Sequence, residues 1–280
     1  MESHKYVYKK KLGAGAFGCV YLVKRKPDNS LYVIKEQSGQ GSQQIVRNEV
    51  EQLRKMNHPN IIQYYGCSYD SGKWCIVMQY ATGGTLRDFL QRRGRPLSEA
   101  SALYFFAQII MGVHHIHEKM VVHRDLKPEN IFLHGPHGNF IKIGDFGIAK
   151  DIKKEIALTN IGTRLYMAPE VLKGLPYDSK CDIWSAGIIL YEMLTNVFPF
   201  STSDYLKMMY QISRGILKVL PEDTITPATV KINYSMLRRH PESRPRAGDL
   251  VRTRSVFTSI KSFYRHLSAE DQARLFKFGD

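Results

Sequence analysis

The fold is decided by residues 121–147, which read Val-Val-His-Arg-Asp-Leu-Lys-Pro-Glu-Asn-Ile-Phe-Leu over 121–133 and Ile-Lys-Ile-Gly-Asp-Phe-Gly over 141–147. Two short apolar runs, 131–133 and 140–143, flank a segment rich in Gly, Pro and Asn. Because those residues form turns, the pattern predicts a β-hairpin.

The hairpin places two oxygen-bearing side chains, Asn130 and Asp145, at the same edge of a small sheet. Carboxylate and amide oxygens are the ligands that a hard divalent cation takes. Asp125 lies on the loop before the first strand, where it can accept a proton. The stretch therefore predicts a cation site beside a general base.

Residues 123–130 (His-Arg-Asp-Leu-Lys-Pro-Glu-Asn) and 145–147 (Asp-Phe-Gly) resemble the catalytic loop and the magnesium-binding motif of eukaryotic protein kinases. The resemblance implies an α+β, two-lobed kinase fold. Its small N-lobe has an antiparallel sheet and one key helix, and its larger C-lobe is mainly helical. We expect a kinase domain over 6–267, with the N-lobe at about 6–81 and the C-lobe at about 82–267. Residues 268–280 form a short C-terminal extension.

Length and composition suit this architecture. The 280 residues are 43% apolar and 24% charged, which is ordinary for one large globular domain or two lobes. The formal charge of +14 favours anionic partners such as nucleotide phosphates. The sequence lacks a basic run interleaved with aromatic residues, which would indicate nucleic acid as the main partner, so we expect no nucleic-acid partner.

Cysteine usage and hydropathy indicate where the protein works. The four cysteines form no C-x-x-C pair, which favours reduced thiols inside the cell. The most apolar stretch, 102–116, is too short for a membrane span. We therefore expect a cytoplasmic location, with cytoskeletal or nuclear association left open, and no membrane partner. The oligomeric state stays open.

A glycine-rich loop, Gly-Ala-Gly-Ala-Phe-Gly over 13–18, separates the first two of three predicted strands in 6–36. The pattern G-x-G-x-x-G also opens dinucleotide-binding folds, but there a helix follows the glycines. Here the β-branched and aromatic run Val20–Val23 follows, and then a third strand. This context favours a hairpin lying over nucleotide phosphates, although an ordinary glycine-rich hairpin has the same local pattern.

Lys35 ends the third strand, and Glu49 lies within the apolar stripe of a helix predicted over about 42–57. A buried carboxylate without a cation is strongly unfavourable, so Glu49 needs a positive partner. Lys35 is the natural candidate. In the kinase family this pair holds the lysine against the α- and β-phosphates of ATP. Val33 stands where the family has Ala and adds bulk above the adenine.

The resemblance assigns further roles residue by residue. Asp125, Lys127 and Asn130 are the expected catalytic residues, and Asn130 and Asp145 are the expected Mg²⁺ ligands. Met78 would guard the back of the adenine pocket, although plain core packing explains it equally well. The expected ATP site comprises Leu12, Gly13, Ala14, Gly15, Ala16, Phe17, Gly18, Cys19, Val20, Val33, Lys35, Glu49, Met78, Gln79, Ala81 and Phe132.

Residues 148–170, ending in Tyr-Met-Ala-Pro-Glu, resemble the kinase activation segment. A phosphate on Thr159 could pair with Arg124 and order the segment, unless Thr159 is simply a loop hydroxyl. Glu170 is expected to pair with Arg244. Asp182 is expected to bond backbone N–H groups of the 123–125 loop, with a helix cap as the alternative.

Lys127 together with Gly-Thr at 162–163 resembles the serine/threonine branch, and 130–133 with 142–150 are similar to the NIMA-related kinases. Arg-Leu at 164–165 departs from that subfamily, so a peptide preference cannot be carried over. We expect transfer of the ATP γ-phosphate to Ser/Thr hydroxyls of protein substrates, controlled by activation-loop phosphorylation. An ATP-binding pseudokinase scaffold and a small-molecule phosphotransferase are the alternatives from other classes.

Overall fold

A computed structural model describes residues 5–15, 18–38, 42–145, 164–200 and 204–276. The N-terminal part is an antiparallel five-stranded sheet in the order β1-β2-β3-β5-β4. Its strands are β1 (Tyr6–Gly15), β2 (Gly18–Arg25), β3 (Leu31–Gln37), β4 (Tyr64–Asp70) and β5 (Lys73–Gln79).

Gly18 starts β2 with a backbone that requires glycine. Its φ is +151°, and a Cβ built there would lie 1.7 Å from the carbonyl oxygen of Glu36 on the neighbouring strand. Side chains at this position are therefore excluded by the close approach of the two strands. The tight start of β2 sets the register that pairs Val20 with Lys35.

One helix, α1 (Ser42–Lys55), packs against β4 and β5. It ends two residues before the predicted limit. Val46, Val50 and Leu53 are buried on one face, and Glu49 lies among them at 4% exposure. The helical spacing of these residues thus brings a carboxylate into the sheet–helix interface.

The C-terminal part is mostly helical and follows a small antiparallel sheet with one helix, as the resemblance implied. The central helices α3 and α5 are buried along most of their lengths. Across the described residues, no helix is both long and apolar enough to cross a bilayer. The helices are α2 (Leu86–Arg93), α3 (Glu99–Glu118), α4 (Pro169–Leu172), α5 (Lys180–Thr195), α6 (Tyr205–Arg214), α7 (Pro227–Met236), α8 (Ala247–Val251), α9 (Arg254–Tyr264) and α10 (Ala269–Phe276).

The predicted hairpin forms from β6 (Ile131–His134) and β7 (Phe140–Ile143), with Ile131 opposite Ile143. Gln108 of α3 braces it: Oε1 accepts from the Ile141 N–H at 2.8 Å, and Nε2 donates to the Asn139 carbonyl at 3.0 Å. Because Gln108 is fully buried, these bonds fix the hairpin on the core of the C-lobe.

Two stacked imidazoles, His58 and His115, lie 5.2 Å apart between their centroids at the base of the N-lobe. His58 Nδ1 accepts from the Asn60 N–H at 3.0 Å, and His115 Nε2 accepts from the Asn57 N–H at 3.4 Å. Burial lowers the pKa of His58 and lowers the pKa of His115 to about 4. Both rings are therefore neutral in the native protein at pH 7.

Acidification is expected to destabilise the protein through these rings. A histidine whose folded pKa lies below its unfolded value stabilises the native state above about pH 6.5, and this contribution is lost as the pH falls toward 4. The free energy of unfolding is measured in urea at a series of pH values. Between pH 6.5 and 4.5 it should fall by roughly 1–3 kcal/mol less in His115→Gln than in the parent. The exposed His137→Gln is the matched control. If the free energy of unfolding depended on pH equally in His115→Gln and the parent, His115 would not be the source of this acid destabilisation.

Candidate active site

The lysine predicted to hold phosphate is paired as expected. Lys35 Nζ lies 2.7 Å from Glu49 Oε1, and Gln37 Nε2 donates to Glu49 Oε2 at 3.0 Å. Burial acts to lower the pKa of Lys35, but the carboxylates of Glu49 and Asp145 outweigh it and raise the pKa. The ammonium group is therefore held charged at the inner face of the sheet.

The catalytic loop forms a second polar group. Asp125 is 6% exposed, and its Oδ1 lies 2.9 Å from Lys127 Nζ. Asn130 Nδ2 donates to the carbonyl oxygen of Asp125 at 2.7 Å and to its Oδ2 at 3.0 Å. Since the amide nitrogen of Asn130 is engaged in this way, its Oδ1 is the atom suited to a cation.

Asp182 of α5 anchors the backbone of the same loop. Its carboxylate accepts from the N–H groups of His123 and Arg124, both at 2.9 Å. His117 Nε2 lies 2.9 Å from Oδ2. Burial acts to raise the pKa of Asp182, yet the bonds from His117 and the loop lower it overall. The predicted contact is confirmed, and the alternative of a helix cap is wrong because Ser179 occupies the cap position.

This anchorage holds the loop in an uncommon backbone conformation. Arg124 has φ +70°, and Asp145 has φ +53°, the left-handed region that non-glycine residues seldom occupy. His123 is fully buried, and its Nε2 lies 3.1 Å from the Gly144 carbonyl, which joins the two segments. The strain is stored on either side of the candidate site.

Asn130 and Asp145 flank the two strands at the same end of the hairpin, as the sequence predicted. The Gly144 N–H donates to the Asn130 carbonyl at 3.0 Å, and Asp145 Oδ1 lies 3.5 Å from Lys35 Nζ. The described residues contain no group of three or more His, Cys, Asp or Glu side chains that could hold a metal. An amide–carboxylate pair nevertheless fits Mg²⁺, which keeps several waters and takes few protein ligands.

The remaining residues assigned to ATP fall into two groups. Val20, Val33 and Met78 share a sheet face with Lys35. Val20 is the register partner of Lys35, Val33 lies two residues before Lys35 on β3, and Met78 is the register partner of Val33. Leu12, Gly13 and Ala14 lie at the end of β1, and the backbone of Gly15 closes it opposite Gly18. Ala16 and Phe17 lie outside the described residues.

The side chain of Cys19 lies on the other face of the sheet. Cys19 pairs with Glu36, whereas Val20 pairs with Lys35, so alternation along the strand puts the Cys19 side chain on the opposite sheet face. Glu36 there accepts from Tyr8 and Lys73 at 2.8 and 2.9 Å. A nucleotide on the Lys35 face would therefore meet the backbone of Cys19 rather than its thiol, and the assignment of Cys19 to the ATP site stays a prediction.

Gln79, Ala81 and Phe132, also assigned to the ATP site, lie where β5 leads toward the hairpin. Gln79 ends β5, and Ala81 is buried. The following turn is tied to the hairpin by reciprocal bonds of 2.8 Å, in which Gly83 and Leu133 each contribute one N–H. Phe132 lies on β6 in this region and forms an isolated bridge with Thr85.

Of the predicted regulatory pair Thr159 and Arg124, only Arg124 lies among the described residues. Arg124 is exposed, and its guanidinium carbon lies 5.7 Å from the centroid of Tyr177. Thr159 lies outside the described residues. The pairing of a Thr159 phosphate with Arg124 stays a prediction.

Sequence reasoning missed one polar cluster beside the catalytic loop. It joins Arg87, Glu129, Tyr166 and Glu192, which are brought together from four separate segments. It also missed Gln37 and His117 as partners of Glu49 and Asp182. No periodic pattern or motif spacing marks these contacts in the sequence.

Comparison with known proteins identifies the class. The family described as "Protein kinase domain" matches residues 6–255, and the chain belongs to this family. The solved structure described as "Crystal structure of Rad53 1-466 in complex with AMP-PNP" is similar, with a TM-score of 0.77 and 29% identity over 90% of this chain and 65% of that chain. The predicted domain limits of 6–267 and the lobe boundary stay predictions.

Within the family, the chain is similar to serine/threonine-protein kinases of the Nek group, so the predicted likeness to NIMA-related kinases is confirmed. It is 34% identical to serine/threonine-protein kinase Nek8 of Danio rerio over 279 residues. This alignment covers 98% of this chain and 40% of that protein. It is 38% identical over 261 residues to Nek5 of Mus musculus, with 90% and 41% covered. The chain thus spans about 40% of the length of these relatives.

Proposed function

We propose that this chain is an active serine/threonine protein kinase that transfers the γ-phosphoryl group of Mg-ATP to hydroxyl groups of protein substrates. The observation that carries the proposal is the position of Lys35 Nζ, 2.7 Å from Glu49 and 3.5 Å from Asp145. This contact connects the N-lobe lysine with the end of the hairpin. The residues required by phosphoryl transfer thereby adjoin one another.

Each residue has the role that its family membership implies, and its surroundings support that role. Asp125 orients the substrate hydroxyl and accepts its proton, and Lys127 beside it balances phosphate charge. Lys35 holds the α- and β-phosphates. Asn130 and Asp145 would hold Mg²⁺, which supplies charge neutralisation at the phosphate oxygens when bound. Catalysis here is positioning and electrostatic stabilisation by fixed groups.

A silent scaffold would be expected to lack the lysine, the catalytic acid or the metal-binding acid. Lys35, Asp125 and Asp145 are all present and adjoin other members of the site. This supports the active kinase over that alternative.

The decisive experiment measures transfer of labelled γ-phosphate to a generic protein substrate with Ser and Thr acceptors. We expect transfer that depends on added Mg²⁺ and is lost in chelator. A Lys35→Met variant should bind nucleotide more weakly and transfer little, whereas the exposed Lys73→Met should behave as the parent. Nucleotide binding without transfer, before and after treatment with an activating kinase, would favour the scaffold.

Regulation through the activation segment is the second part of the proposal. Arg124 supports it, because its backbone is fixed by Asp182 while its side chain is exposed next to Tyr177. A phosphate on Thr159 could form charge-assisted hydrogen bonds with that guanidinium.

Phosphate should accordingly be found on Thr159 in the active enzyme. Phosphatase treatment is expected to lower the activity of the parent about tenfold or more, and to change Arg124→Ala much less, because the phosphate acts through Arg124. Arg252→Ala, an exposed arginine outside the catalytic loop, is the control. Full activity of the dephosphorylated parent would contradict this regulation.

A further inference from the structure

Gln37 ends β3 two residues after Lys35, and its side chain therefore lies on the same face of the sheet, toward α1. Its Nε2 donates to Glu49 Oε2 at 3.0 Å, while Lys35 Nζ lies 2.7 Å from Glu49 Oε1. Each oxygen of the carboxylate thus has its own donor on β3. Gln37 is 2% exposed and Glu49 is 4% exposed, so their hydrogen bond is shielded from water.

The second donor fixes the orientation of the Glu49 carboxylate. A lysine ammonium is a compact charge on a flexible stem, and it can meet a carboxylate oxygen from many directions. Lys35 alone would therefore leave the carboxylate free to rotate. The amide of Gln37 adds a separate contact from the same strand, and the two bonds together turn Glu49 Oε1 toward Lys35.

The same two bonds connect α1 to the strand that carries the phosphate-binding lysine. α1 packs against β4 and β5, and Glu49 links it to β3. Apolar packing is not directional, whereas a hydrogen bond between buried groups specifies one arrangement. Gln37 thus specifies the position of α1 at which the pair of Lys35 and Glu49 is formed.

Gln37 is a polar residue at a position where packing favours an apolar one. Its strand partners are Gly18 and Trp74, and its own carbonyl oxygen, Oε1, is buried. Among the residues that the structure describes, none donates a hydrogen bond to that oxygen. Burial of an amide oxygen without a donor is unfavourable, and an unbranched apolar side chain would fill the same space without this penalty. The N–H that Gln37 gives to Glu49 is therefore the part of the amide with a role.

We propose that Gln37 is a positioning residue for ATP binding, which holds the carboxylate of Glu49, and with it α1, in the arrangement where Lys35 can take the nucleotide phosphates. The inference rests on the proposed kinase function. If the pair is formed only part of the time, the apparent Kd for ATP rises in inverse proportion to the fraction of protein in which it is formed. Bound ATP in turn favours the formed pair, so the rate at saturating ATP is largely kept.

The test compares Gln37→Met with the parent in two assays, displacement of a fluorescent ATP analogue by Mg-ATP and transfer of labelled γ-phosphate at varied ATP. Methionine is similar in length and has no donor. We expect the Kd and the KM for ATP to rise about tenfold, which corresponds to roughly 1.4 kcal/mol, with kcat within about threefold of the parent. Gln44→Met, which removes an exposed amide from α1, is the matched control and should bind ATP as the parent does.

Two further variants show whether Gln37 acts through Glu49. Gln37→Glu keeps the shape of the side chain but places a second carboxylate beside Glu49, so it should raise the Kd more than Gln37→Met does. In Glu49→Leu, which has no carboxylate to hold, Gln37→Met should change the Kd by less than about twofold. The Tm of each variant separates positioning from stability, because a loss of stability alone lowers the amount of active protein and leaves the Kd of the folded protein unchanged.

Equal Kd values for the parent and Gln37→Met would overturn the inference, as would the same rise in the Glu49→Leu background. A lower kcat at an unchanged KM would also contradict it. Gln37→Leu replaces Gln37→Met if the latter does not fold. If the parent bound Mg-ATP but transferred no phosphate, the proposed kinase function would be wrong, whereas a weaker Kd in Gln37→Met would still support the positioning role.

Discussion

Asp125→Asn is expected to lower kcat for substrate phosphorylation by about 10²–10⁴-fold, the usual contribution of a positioned general base. The substitution keeps the size of the side chain, and an amide cannot accept the hydroxyl proton. It also removes the charge that holds Lys127 Nζ at 2.9 Å. Asn130 can still find an acceptor, because it bonds the Asp125 carbonyl as well as the carboxylate. The loop should therefore keep its shape.

Single-turnover transfer and nucleotide binding, measured on the same preparations, separate chemistry from binding. Asp125→Asn should bind Mg-ATP within about threefold of the parent, since its role is at the transition state. Asp223→Asn, an exposed acid in the turn before α7, is the matched control and should be fully active. If Asp125→Asn transferred phosphate at the parent's rate, the assignment of the base would be wrong.

Asp145→Asn provides the informative contrast. Asp145 faces Lys35 Nζ at 3.5 Å and is proposed to hold the metal. Its loss should weaken nucleotide binding in Mg²⁺ and reduce transfer, whereas binding in the absence of divalent cations should change little. Nucleotide binding in Mg²⁺ thus distinguishes Asp145→Asn from Asp125→Asn, even though both variants are nearly inactive in transfer.

Sequence reasoning succeeded where local chemistry leaves one solution. An acid within an apolar helical stripe needs a cation, which is why the pairing of Glu49 with Lys35 could be predicted. The hairpin at 131–143 could be predicted because turn residues separate two apolar runs. From that hairpin follows the adjacency of Asn130 and Asp145, because antiparallel pairing brings the two outer ends together.

Sequence reasoning did not suffice where strand phase or tertiary packing decides. The place of Cys19 directly after the glycine-rich run does not reveal that its side chain lies on the sheet face opposite Lys35, which the strand register decides. The cluster around Arg87 joins residues separated by 42, 79 and 105 positions. None of these separations follows from a helix or strand period, so the contacts appear only in the tertiary structure.

The buried pair of Arg244 and Glu170 leads to the largest expected effect on stability. Arg244 has no exposed side-chain surface, and its two terminal nitrogens donate to the Glu170 carboxylate at 2.6 and 2.8 Å. Its other bonds reach three backbone carbonyls, and its guanidinium carbon lies 5.1 Å from the centroid of Trp184. All the donors of the guanidinium fork are thus directed at acceptors.

Arg244→Met is expected to lower the free energy of unfolding by about 3–5 kcal/mol, because it leaves a buried carboxylate without a cation. This is a large share of the roughly 5–15 kcal/mol that stabilises a typical domain. Arg244→Lys should also destabilise, since one ammonium cannot replace a bidentate fork and its backbone contacts. Urea unfolding at pH 7 gives the free energies, and the exposed Arg252→Met is the control.

A double-mutant cycle with Glu170→Gln separates the ion pair from the rest of the arginine's contacts. Because each single variant leaves the other partner buried and charged, the double variant should be less destabilised than the sum of the singles. Coupling of about 1–3 kcal/mol is expected for groups in direct contact. The destabilisation that remains in the double variant measures the loss of the bonds from Arg244 to the three backbone carbonyls. Strict additivity would show that Glu170 and Arg244 act independently and that the destabilisation arises from packing around Trp184.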